Sequence, residues 1–89
     1  MNFIEVMVGK NLYRLEVYDD HDLFGTIVYE KMPHNIVITH KINYHENVLK
    51  RLHLNTEVHK EYMLFYLKRH INAVVIDKST SSAHAVCLY

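Results

Sequence analysis

The chain opens with strict alternation. Ile4, Val6 and Val8 fall on one side and Phe3, Glu5 and Met7 on the other, a period of two that predicts a strand. Gly9-Lys10-Asn11 is a turn. Tyr13, Leu15 and Val17 then alternate with Arg14, Glu16 and Tyr18, so the first two strands read as a hairpin with one buried face. A polar loop, Asp19-Asp20-His21-Asp22, leads to a β-rich run over Thr26–Met32. Pro33-His34-Asn35 breaks that run. Ile36, Ile38, His40 and Ile42 resume the alternation, against Val37, Thr39 and Lys41. Four strands in an antiparallel meander are expected.

The period then changes to that of a helix. Asn43, with Glu46 three residues on, resembles a capping box. Tyr44, Val48, Leu49 and Leu52 take helical spacing, and Lys50 and Arg51 suit the negative end of the helix dipole. Asn55 caps a second helix, which Asn72 ends. In it Val58, Tyr62, Phe65 and Arg69 form one stripe, and Leu64, Leu67 and Ile71 form its neighbour. The first stripe is the expected docking face; Tyr66 lies off it. Ala73-Val74-Val75-Ile76 reads as a strand buried on both faces, Ser79–Ser82 as a turn, and Ala83–Tyr89 as a last strand. The order is therefore β-β-β-β-α-α-β-β. Strands segregated from helices imply an α+β fold, a mostly antiparallel sheet with both helices packed on one face. Residues 1–89 make one compact domain, since 89 residues suffice for one core and not two.

Composition narrows function mainly by exclusion. Ten basic and ten acidic residues cancel. That argues against nucleic acid as a partner, because neutralising phosphates takes a basic surplus. It also favours self-association by removing repulsion between copies, and a homodimer is expected. Glycine occurs only at positions 9 and 25, so no glycine-rich phosphate loop can form. The one cysteine, Cys87, cannot staple the chain to itself, which points to a reducing, cytoplasmic compartment. No stretch reads as a signal peptide or membrane span. No cofactor is expected.

Histidine and tyrosine are the outliers, with eight and seven copies. No HExxH is present, since Leu49 stands where the second histidine would fall after His45-Glu46. No helical histidine has a histidine partner one turn away. The candidates for acid–base work are therefore the separate His34, His40, His45 and Glu46. Asp19, Asp20, His21 and Asp22 are the densest potential cation ligands, but they lack the spacing of a calcium loop, and no metal is expected. Tyrosine offers apolar area with a polar tip, which suits contact surfaces. Tyr62, Tyr66, Arg69 and His70 are the candidate partner-binding residues. Lys60, Lys68 and Arg69 beside these rings also fit single-stranded nucleic acid, although Glu57 and Glu61 share the helix.

The leading expectation is a small non-enzymatic binding or inhibitory protein acting on a protein partner or small ligand. Its compactness and its wealth of Asn, Ile, Lys and Tyr suit a phage or mobile-element accessory protein. The alternative is a small His-dependent hydrolase, such as a metal-assisted or acid–base phosphodiesterase. A single-stranded nucleic-acid binder is third.

Overall fold

A computed structural model describes residues 1–20 and 22–83. The elements are β1 (Asn2–Gly9), β2 (Leu12–Asp19), β3 (Asp22–Met32), β4 (Ile36–Tyr44), α1 (Glu46–Leu52), α2 (Thr56–His70) and β5 (Val74–Ala83). They form one five-stranded sheet in the order β1-β2-β3-β4-β5. The first four strands are the expected antiparallel meander. β5 runs parallel to β4, from Ile36 beside Val74 to Tyr44 beside Ala83. A parallel neighbour needs a long crossover, and α1 and α2 supply it. The fold is α+β.

The tight turns are made by residues that tolerate a left-handed backbone. Asn11 has φ of 58° between β1 and β2, and His34 and Asn35 have φ of 65° and 59° between β3 and β4. Asn55 caps α2 as expected, its Oδ1 accepting from the Val58 amide at 2.8 Å. Asn43 does not cap α1. It lies within β4, where its side chain donates to Thr26 and accepts from Ser82. His45 takes the cap position through its backbone carbonyl, which accepts from Val48 and Leu49.

Three expectations near the end of the crossover are corrected. Ser79–Ser82 is not a turn: it lies inside β5, whose ladder with β4 runs through it. The segment Ala73–Ile76 is not buried on both faces, because among the described residues β5 is an edge strand and Val74 and Ile76 are exposed. The docking face of α2 is also different. His59, Met63 and Leu67 are fully buried, whereas Tyr62 and Phe65 point outward. The last expected strand, Ala83–Tyr89, falls almost wholly outside the described residues.

Cross-strand pairing shows which side chains share a face. Leu15, Ile27 and Ile42 form one row toward the helices, and Tyr13, Tyr29 and Thr39 form the next. Leu15, Val17, Ile27, Tyr29 and Ile42 meet Met63 and Leu67 in the core. Burying each large aliphatic side chain contributes about 1.5–3 kcal/mol. Gly25 on β3 sets the depth of the helix. A Cβ there would stand 2.7 Å from His59 Nε2 and 2.9 Å from Met63 Sδ. Only the absent side chain lets α2 settle so close to the strand.

Candidate functional site: the outer face of α2

Positions 62, 65, 66 and 69 lie at helical spacing on the side of α2 away from the sheet's centre, and strand residues complete the surface around them. Phe24, buried at the start of β3, meets Tyr62 and Tyr66 edge-on, with ring centroids 6.1 and 6.0 Å away. Tyr62 and Tyr66 stack at 6.3 Å, and Phe65 meets Tyr66 edge-on at 5.7 Å. Phe3 of β1 extends the row, 5.9 Å from both Tyr66 and His70. The Arg69 guanidinium lies 5.6 Å from the Phe65 ring centroid. Such contacts hold aromatic side chains in fixed orientations.

The ladder is fixed beneath and open above. Phe65 is 51% exposed and Tyr62 44%. Hollows of about 380 and 280 Å³ lie on either side of Tyr62. The first is lined by Val58, Glu61 and Phe65, the second by Phe24, Leu52, Leu54 and Tyr66. Burial, then the neighbouring Tyr62 and Asp19, raise the pKa of Tyr66. Its phenol therefore stays protonated and available as a donor. His70 is tied back to β1, its Nε2 lying 3.5 Å from Glu5 Oε1, and the same oxygen accepts from the Tyr29 hydroxyl.

Two polar sites, one partly exposed at Asp77 and one buried at His59, hold α2 in place. On the β5 side, Asp77 Oδ1 accepts from the Thr39 hydroxyl at 2.6 Å and from the Ser79 amide and hydroxyl. Its other oxygen pairs with Lys60 at 3.1 Å. Burial acts to raise the Asp77 pKa, but the bonds from Ser79, Thr39 and Lys60 outweigh it and hold the carboxyl well below its ordinary 3.8. On the β3 side, His59 Nε2 lies 2.8 Å from the Phe24 carbonyl. A carbonyl only accepts, so Nε2 carries the proton and Nδ1 is bare. Nδ1 is buried without a hydrogen-bond partner among the described residues. Burial lowers the His59 pKa below its ordinary 6.5, against the pull of the Phe24 carbonyl.

The structure brings Tyr62, Tyr66 and Arg69 together, with His70 at one end of the row. Sequence reasoning missed Phe3 and Phe24, which come from strands far away in the chain. The candidate catalytic residues are strung along β4. His34 stands in the turn before it, His40 within it, and His45 and Glu46 after it. His40 pairs with Glu30 at 2.9 Å on a neighbouring strand. Asp19 and Asp22 face each other at the β2–β3 turn, with Asp20 at φ of 55° between them, and Asp22 binds Arg51 at 2.6 Å. His21 lies outside the described residues. Among the described residues no three His, Cys, Asp or Glu side chains converge as a metal site would require. Nor is any helix among them long and apolar enough to cross a membrane.

A hollow of about 670 Å³ lies between the two helices and is lined by Tyr44, Leu49, Lys50, His53, Leu54 and Asn55 among others. Lys50, His53 and Asn55 are themselves exposed, so water reaches most of its wall. The chain matches no family model, and no similar curated protein or solved structure is found.

Proposed function

We propose that this chain is a small non-enzymatic binding or inhibitory protein that docks a partner protein on the outer face of α2. The observation that carries this reading is the exposure of Tyr62 and Phe65 on a helix whose other side is locked into the core. Exposed aromatics on a rigid element lose little conformational freedom on binding, and Tyr and Arg dominate binding energy where they occur. The hollows beside Tyr62 can receive apolar side chains from the partner. Arg69 offers a charged rim.

The other readings draw less support. Of the bases beside the rings, Lys60 is held by Asp77 and Ser79, and His70 is tied to Glu5. Lys68 and Arg69 are left to meet phosphates, with Glu57 and Glu61 on the same helix. The candidate acid–base residues do not converge on a pocket. An intracellular partner suits a chain with one cysteine.

The test is affinity capture from cells that naturally carry the chain, with the wild type, Tyr62→Ala/Phe65→Ala and His40→Ala compared side by side. A stoichiometric partner that survives His40→Ala and is lost with the double substitution supports the proposal. Retention of the same partner by the double variant overturns it. So would hydrolysis of a phosphodiester by the purified chain that is abolished by His40→Ala or His45→Ala.

A further inference from the structure

Among the described residues, the two edges of the sheet differ in how well they are guarded. β5 carries Asp77 and Lys78, a run of hydroxyl residues and a bulge against β4. Charges, polar side chains and bulges are the usual defences of an exposed edge. β1 has β2 as its neighbour and, among the described residues, no strand on its other side. Its sequence, NFIEVMVG, contains no lysine, arginine or proline. Its single charge, Glu5, is engaged by the Tyr29 hydroxyl and by His70 on the helix side. On the opposite face Ile4 is 49% exposed, and Val8, in the bulge between Met7 and Gly9, is 43% exposed.

We propose that β1 is a self-pairing edge, joining a second copy of this chain antiparallel about a two-fold axis at Val6. The register follows from the sequence. With Val6 opposite the partner's Val6, Ile4 meets the partner's Val8, and Glu5 meets the partner's Met7. Ile4, Val6 and Val8 then share one face across the junction, with the bulged Val8 at each end. A shift of two residues one way sets Glu5 against the partner's Glu5, and like charges directly opposed are destabilising. The same shift the other way sets Ile4 against the partner's Lys10. The central register escapes both. The chain's zero net charge adds no long-range repulsion between copies.

The bulge at Val8 leaves only Glu5, Val6 and Met7 in regular pairing, so the contact is small and the dimer is expected to dissociate in the micromolar range or above, as small interfaces do. The two sheets become one ten-stranded sheet with the α2 surfaces left open. This proposal therefore stands apart from the partner-binding reading.

Sedimentation equilibrium tests it, over micromolar to millimolar concentrations. The wild type is expected to show a monomer–dimer equilibrium. Val6→Lys sets two ammonium groups face to face and should weaken the dimer at least about tenfold. Ile76→Lys, on the exposed face near the other edge, should leave it unchanged. In a Cys87→Ser background, Val6→Cys should form a disulfide-linked dimer on mild oxidation, and Ile76→Cys should not. This second measurement decides the matter if Val6→Lys perturbs folding. A wild type that is monomeric throughout, a dimer indifferent to Val6→Lys, or a Val6→Cys chain that fails to cross-link would overturn the proposal.

Discussion

Both sides of α2 carry apolar or aromatic side chains and put them to different uses. The inner side presents His59, Met63 and Leu67 to the sheet with no exposure at all. The outer side presents Tyr62 and Phe65 to solvent, with Tyr66 between them and Arg69 above. Packing explains the inner set completely. Tyr66 and Tyr62 still lean on buried Phe24, but nothing in the fold requires a ring at the half-exposed Phe65, where a lysine or glutamate would serve the helix as well. The difference separates residues that hold the protein together from residues free to hold something else.

The largest expected effect lies on the inner side. Met63→Ala or Leu67→Ala should cost about 2–5 kcal/mol, because the sheet beneath cannot collapse into the space left behind. Urea unfolding checks this, and a loss under about 1 kcal/mol would mean that the helix is not seated as described. Gly25→Ala comes next. The added methyl meets the His59 ring and Met63 Sδ well inside contact distance, and overpacking of this kind costs about 1–3 kcal/mol. Asp77→Ala strips Thr39, Ser79 and Lys60 of their common acceptor and should cost about 1–3 kcal/mol by the same measurement.

Acid should separate the two polar sites beneath the helix. The His59 pKa is lowered on folding, so the unfolded chain takes up that proton first. Its stability contribution is complete above 6.5 and declines as the pH falls below that value. The Asp77 pKa is lowered from 3.8, so its contribution is complete above 3.8 and is lost only under stronger acid. Stability followed against pH should fall in two stages. His59→Met should flatten the first stage and leave the second. An unchanged profile would show that the imidazole does not titrate with folding.

Much of this architecture could be read from the residues. Alternation exposed the meander, and Asn55 marked the start of α2. The crossover was harder. Ser79–Ser82 looks like a turn because its side chains are small and polar, yet an edge strand draws its pairing from backbone groups and needs no apolar face. Asn43 looks like a cap, but its bonds to Thr26 and Ser82 come from strands on either side of it. The docking face of α2 is hidden in the sequence because rings lie on both sides of the helix and a histidine takes a core position. Gly25 was the available signal: a glycine inside a strand marks a close approach, and the approaching residues are His59 and Met63. Phe3 and Phe24 joined the candidate site through tertiary packing, which helical spacing cannot reveal.

The smallest effect on stability belongs to the outer side, and it carries the most meaning. Tyr62→Ala/Phe65→Ala should change unfolding free energy by about 0.5–1 kcal/mol, since both side chains keep much of their area in water. A photo-crosslinking residue at position 65, set against the same residue at Lys78 in β5, then asks directly what the outer side is for. In cells that naturally carry the chain, a discrete protein adduct from position 65 and none from position 78 is the predicted result. The same diffuse adducts from both positions, or none from either, would contradict the account.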